Sequence, residues 1–196
     1  MKLEFWFEYA STYSYPAAMR VEKLAKDAGV ALVWRPFLLG PIFGAQGWND
    51  SPFNIYPVKG QYMWRDMARL CEADGLPFKA PVQFPQNGLR AARITLIGND
   101  EGWGADFTRA VYTANFGEQK DISDEAVLVS LLISLGLDAK DVLARANADA
   151  NKARLKTQTE EAIKRGVFGA PSFFVGPELF WGNDRLEQAI VWAKRS

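Results

Sequence analysis

The chain opens with alternating positions: Leu3, Phe5 and Phe7 interleave with Glu4, Trp6 and Glu8, the period-two pattern of a strand. Residues 9–15 break the alternation and read as a loop. From 16 to 28 the period lengthens, with Met19, Val21, Leu24 and Ala28 roughly on one side of a helix. Pro16 suits a first helical turn, where its missing N–H costs nothing, and Gly29 suits the stop. Residues 30–37 predict a second strand. A β-α-β opening implies a right-handed crossover between parallel strands.

The middle of the chain reads differently. Residues 40–58, with several Gly and Pro among Asn49, Asp50 and Asn54, predict a long irregular loop, a kind that is usually functional or mobile. Beyond Gly60 nearly everything is helical, with helices expected at 60–74, 88–98, 103–116, 123–135, 138–148 and 151–165. Ser123 is a good N-cap, followed by Asp124 and Glu125 at the positive end of the helix, and Gly136 is a natural stop. After Gly166 the strand pattern returns at 172–175 and 179–181, a hairpin around Gly176-Pro177. A final helix starts near Asp184, where Asp184 and Glu187 have the spacing of a capping box. The order is β-α-β, a helical block, then β-β-α.

Composition narrows the chemistry. A chain of 196 residues fits one domain or a small fold with a large insertion, and 48% hydrophobic with 23% charged residues is a soluble globular balance. Lys+Arg and Asp+Glu both number 23, so the basic excess of a nucleic-acid or anionic-membrane binder is absent. The single cysteine, Cys71, excludes an intramolecular disulfide and a C-x-x-C pair, and fits a reducing compartment. With no histidine, the chain has no imidazole base, no Ser-His-Asp triad and no His-ligated metal. Acid–base chemistry must come from carboxylates, Lys, Tyr, hydroxyls or a bound cofactor. The N-terminus lacks the apolar core of a signal peptide and no stretch is long enough for a bilayer span, so the cytoplasm is the expected location.

Two segments stand out. Ser11-Thr12-Tyr13-Ser14 lies between the first strand and first helix, where open α/β sheets bind ligands and where a thiolate gains from free N–H groups and the helix dipole. The competing reading makes Ser11 and Ser14 simple helix caps. In Gly169-Ala170-Pro171, Pro171 belongs at the start of a strand; if its peptide bond is cis, Ala170 turns its N–H and C=O towards an extended ligand. Cys71 reads as a small buried hydrophobe and Glu160-Glu161 as a solvated helix face. Trp6, Trp48 and Trp181 are candidates to line an aromatic pocket.

Together the two halves resemble an α/β thioredoxin-like fold with a large all-helical insertion of the DsbA-like kind. In thioredoxins the first helix opens with C-x-x-C; here the run is Ser11-x-x-Ser14, so dithiol exchange is impossible. The whole chain is similar to 2-hydroxychromene-2-carboxylate isomerases and kappa-class glutathione transferases. The resemblance is carried by residues 5–15 (FWFEYASTYSY), 35–40 (RPFLLG), 59–63 (KGQYM), 166–171 (GVFGAP) and 181–186 (WGNDRL). It implies a discontinuous thioredoxin-like domain at 1–58 and 166–196, with a helical insertion at 59–165. It also implies glutathione as cofactor, with its sulfur at Ser11 and its cysteinyl backbone against Ala170 beside Pro171. The γ-glutamyl end would lie at Asn183 and Asp184, although Asp184 also reads as a plain N-cap, and Trp181 and Gly182 are implied as further cofactor contacts. Substrate contacts are implied for Lys59, otherwise an ordinary surface lysine, for Asn49 or Asn54, and for Asn87.

The implied activity is glutathione-dependent isomerisation of an aromatic 2-hydroxychromene-2-carboxylate to the trans-benzylidenepyruvate, in aromatic-hydrocarbon (naphthalene-type) degradation, by a homodimer. Two alternatives stand beside it: a kappa-like transferase or peroxidase, which consumes glutathione, and a non-catalytic thioredoxin-like binding module.

Overall fold

The computed structural model describes residues 2–195. Its centre is β1 (Lys2–Phe7), which lies between two partners in a four-stranded sheet of order β2-β1-β3-β4. β2 (Ala31–Pro36) runs parallel to β1, with Phe7 opposite Pro36, and α1 (Ser14–Asp27) makes the crossover. β3 (Ser172–Val175) runs antiparallel on the other side, and β4 (Glu178–Trp181) pairs antiparallel with β3 at the edge. These are the β-α-β and β-β-α halves that the sequence pattern predicts. Helices occupy the chain between them, as the DsbA-like resemblance implies.

Both faces of the sheet are covered. Leu3, Phe5 and Phe7 point into a large core shared with α1, the later helices and the C-terminal α10 (Leu186–Arg195). Trp6 points the other way, into a smaller cluster with Phe37, Ile42, Ala162 and Phe174. Trp6 is therefore core and lies outside the cavity described below. Among the described residues no helix is long and apolar enough to cross a membrane.

The stretch 40–58 departs from the expected irregular loop. It contains α2 (Leu39–Ala45) and the short α3 (Pro52–Ile55), and α4 (Pro57–Ala73) already starts within it. The cause is local capping: Ser51 accepts the Phe53 N–H, and Pro52 and Pro57 occupy first helical turns, where no N–H is needed. The remaining helices are α5 (Leu89–Glu101), α6 (Gly104–Tyr112), continued by a π turn at Thr113–Gly117, α7 (Glu125–Ser134), α8 (Ala139–Ala146) and α9 (Asp149–Lys164).

Two expected caps are corrected. The N-cap of α7 is Asp124, whose Oδ1 accepts the Ala126 N–H at 2.9 Å, while the Ser123 hydroxyl donates to Asp121. Carboxylate wins here because it is the stronger acceptor for orphan N–H groups. Asp184 makes no capping hydrogen bond among the described residues: it sits in a 3-10 turn (Asn183–Arg185) before α10, and Glu187 pairs with Arg20 instead.

Candidate functional site

The site begins where β1 ends. Past Phe7 the chain folds tightly into α1, with the Ser11 N–H on the Glu8 carbonyl (3.0 Å) and the Tyr15 N–H on the Thr12 carbonyl (3.1 Å). Tyr13 is the N-cap residue and no side chain caps the helix, so neither Ser11 nor Ser14 has the capping role. The N–H groups of Thr12 and Tyr13 find no acceptor among the described residues, as is usual for a helix start awaiting a partner. The Thr12 hydroxyl is buried without a partner as well.

The second motif meets the first. The Ser11 hydroxyl donates to the Ala170 carbonyl at 2.8 Å across 159 residues of sequence. The Ala170–Pro171 peptide is cis, and the Pro171 carbonyl accepts the Gly182 N–H at 2.9 Å, which ties the end of β4 to the same corner. Trp181 packs on Phe168, with ring centroids 5.0 Å apart, and lies directly over Gly169. A Cβ at Gly169 would stand 2.5 Å from Trp181 Nε1, so any larger residue there would have to push the indole aside.

Above this corner opens a cavity of about 1250 Å³, roofed by α2, α3 and the start of α4. Ser11, Ala170, Trp181, Gly182, Asn183, Asp184, Asn49, Lys59 and Asn87 all line it, as does Trp48. Their surroundings differ. The Asn183 Oδ1 accepts from Arg20 at 2.9 Å, and Asp184 lies 3.6 Å from Arg185 at the exposed rim. Lys59 Nζ stands 5.7 Å from the Phe53 ring centroid. Asn87 Oδ1 accepts the Leu89 N–H and so helps to start α5.

Two expected site residues stand back from the surface of the cavity. Pro171 lies behind Ala170, and Asn54 donates to Asp50 and to the Phe84 carbonyl (2.9 Å), bracing the wall of the roof. Cys71 is fully buried, and burial together with Asp74 pushes its thiol up to about 11, so it stays protonated at neutral pH.

The cavity also contains groups the sequence reading passed over. Tyr13 donates to Asp66 at 2.9 Å; burial, and then that hydrogen bond, raise the phenol well above its ordinary range. Glu8 is buried in the cavity wall three residues before Ser11. Burial pushes its carboxyl from 4.5 up to about 8, outweighing the N–H groups of Ala10, Ser11 and Tyr9 that favour the ionised form. The available signal was an acid directly after the apolar run Phe5-Trp6-Phe7, at the end of a strand that feeds the site.

Comparison with known proteins agrees with this architecture. The DSBA-like thioredoxin domain family matches residues 2–189. A 2-hydroxychromene-2-carboxylate isomerase of Pseudomonas putida is 33% identical over 95% of this chain and 91% of its own. A glutathione S-transferase kappa 2 of Caenorhabditis elegans is 24% identical over 95% of this chain and 88% of its own. The solved structure of a 2-hydroxychromene-2-carboxylate isomerase superposes with a TM-score of 0.89 at 29% identity, covering 100% of this chain and 95% of that one. The chain belongs to the DsbA-like thioredoxin family, in the branch of the 2-hydroxychromene-2-carboxylate isomerases and kappa-class glutathione transferases.

Proposed function

We propose that the protein is a glutathione-dependent isomerase of 2-hydroxychromene-2-carboxylates. The observation that carries this reading is the corner itself: the Ser11 hydroxyl, the unsatisfied N–H groups opening α1 and the Ala170 peptide all converge on one end of a large cavity. That donor set suits an anionic sulfur attached to a peptide. When bound, glutathione supplies a nucleophilic sulfur whose reversible addition to the conjugated double bond lets that bond rotate.

The chain's own residues prepare the site for it. Donation from Ser11 and the positive end of α1 favour thiolate over thiol, which removes the need for a histidine base. For Ser11 to serve the sulfur its hydroxyl must leave the Ala170 carbonyl, and this frees that carbonyl for the cofactor's amide. Asn183 and Asp184 present acceptors to the γ-glutamyl ammonium group. Lys59 supplies a cation for the substrate carboxylate, and Phe43, Trp48, Phe53 and Phe84 supply an aromatic roof for its ring.

A kappa-like transferase is the second reading, supported by the kappa-class relative. Calorimetry with glutathione on the wild type and Ser11→Ala, followed by spectroscopy of chromene conversion, tests the proposal. The expected result is binding by the wild type, loss of thiolate absorbance in Ser11→Ala, and conversion that consumes no glutathione. Consumption would favour the transferase, and no binding at all would remove both readings.

A further inference from the structure

Glu8 has no part in the function as described so far. Its Oε2 accepts the Ala10 N–H at 2.9 Å, and no cation among the described residues pairs with it. Its Oε1 faces Gly88, at the start of α5. A Cβ on residue 88 would stand 2.7 Å from Tyr9 Cβ and 3.2 Å from that oxygen, so glycine is what lets α5 start this close to the Glu8–Tyr9 turn, and Glu8 lines the cavity beside it.

The titratable neighbours are few. Tyr9, in the same turn, and Tyr112 of α6, whose hydroxyl donates to the Glu8 carbonyl at 2.8 Å, are both buried phenols raised far above neutral pH. From α5 the segment Gly88–Leu89 brings no charge. The same cavity is lined by Tyr13, by Asp50, by the α4 residues Lys59, Tyr62 and Asp66, and by the Asp184–Arg185 pair. Glu8, with its carboxyl pushed up to about 8, is thus mostly neutral at pH 7. With Oε2 accepting an N–H, the carboxyl proton belongs on Oε1. A neutral carboxyl carries a donor and an acceptor on one carbon.

We propose that Glu8 is the proton-transfer group of the cavity and opens the cyclic hemiketal of the substrate. The inference rests on the substrate class proposed above. In a 2-hydroxychromene the double bond that must rotate is locked in a ring, and the hydroxyl and ring oxygens share one carbon. Glu8 gives its Oε1 proton to the ring oxygen while Oε2 takes the proton of the substrate hydroxyl. The ring C–O bond breaks, the hydroxyl-bearing carbon becomes a ketone, and the ring oxygen becomes a phenol. One proton leaves Glu8 and one arrives, so the carboxyl ends neutral and no co-reactant is needed. Ring closure is the same step reversed.

The test has two arms that do not involve glutathione. Carbon-13 NMR of side-chain-labelled Glu, with the Glu8 resonance assigned by its loss in Glu8→Gln, should show a midpoint near 8. A midpoint in the ordinary carboxylate range would overturn the proposal without any variant having to fold. In the second arm, alkali-opened chromene is returned to neutral pH and its ring closure is followed by absorbance. Wild-type protein should accelerate closure, lose that effect above about pH 8, and exceed Glu8→Gln by about 100-fold or more. Equal acceleration by Glu8→Gln, or none by the wild type, would overturn the proposal. Calorimetry with glutathione, run in parallel, separates the two failures: absent binding removes the glutathione reading and leaves the ring-closure result standing.

Discussion

Glu4 and Glu8 stand at opposite ends of the same short apolar run, and both are 7% exposed. Their chemistry is opposite. Around Glu4, on the face of the sheet that carries Trp6, the Arg165 guanidinium lies 2.6 Å away, Lys2 3.1 Å and Trp6 Nε1 3.1 Å. Burial alone would raise its carboxyl, but the hydrogen bonds from Arg165, Lys2 and Trp6, together with the Arg165 charge, hold it below the usual value. Around Glu8 there are only backbone N–H groups, and burial prevails. Burial is common to both, so the partner decides. A buried acid with a guanidinium fastens the sheet, and one without holds a proton at the cavity end of it.

The most disruptive change at this pair is Arg165→Met, which keeps an unbranched apolar side chain but deletes both the charge and the guanidinium that lies over the Phe174 ring. It leaves Glu4 buried without its main partner, at a cost of about 3 kcal/mol, the low end for a broken buried pair because Arg165 is partly exposed. Denaturant unfolding at pH 7 should show that loss. It should shrink as the pH falls through the carboxylate range: the depressed pKa of Glu4 gives stability present above the unfolded-state value and lost on acidification. A loss of full size at pH 3 would mean that packing of the guanidinium, and not its charge, is what Glu4 needs.

Glu8→Gln should act with the opposite sign in a different pH window. The folded-state pKa of Glu8 is raised, so its favourable contribution is complete below about 4.5 and is lost as the pH rises to about 8. The unfolded chain releases the proton first, and the native state must keep it or bury a charge. Glutamine escapes that cost and can still accept the Ala10 N–H. Relative to wild type, the variant should gain about 2 kcal/mol between pH 5 and pH 6.5 and go on gaining until about pH 8, read from melting curves across that range. A constant difference would show that Glu8 ionises normally.

Much of this was legible in the sequence. Period-two alternation marked β1, the change of period and Gly29 marked α1, and the Gly-Ala-Pro entry marked β3, because these elements follow from local pattern. Ser11 and Ala170 were singled out through the order of short motifs along the chain, and the fold brings the two together by a hydrogen bond. The contrast between the two glutamates could not be read there. Arg165 lies 161 residues from Glu4, and no local pattern reports which buried acid a distant cation will reach. The α2–α3 region failed for another reason: its Gly and Pro residues look like loop breakers, yet proline at a first turn starts a helix. Asn54 shares that segment with Asn49, and only the fold turns one towards the cavity and the other into the wall.

Lys2→Met sharpens the comparison by having little effect. Lys2 reaches Glu4 at 3.1 Å, a distance close to that of Arg165, so a tally of contacts would rank the two cations almost equally. Their surroundings do not. The Lys2 side chain is 57% exposed, so water screens its attraction and its mobile ammonium group gives up entropy to hold the pair. Arg165 is 23% exposed, lies 3.7 Å from the centre of the Phe174 ring and also donates to the Gly176 carbonyl, so its charge is fixed and poorly hydrated. Removing Lys2 should therefore change unfolding free energy by no more than about 0.5 kcal/mol, with most of that change gone in 1 M salt. A loss near that of Arg165→Met would show that the carboxylate needs total positive charge, and that a buried, oriented guanidinium is not what distinguishes Glu4 from Glu8.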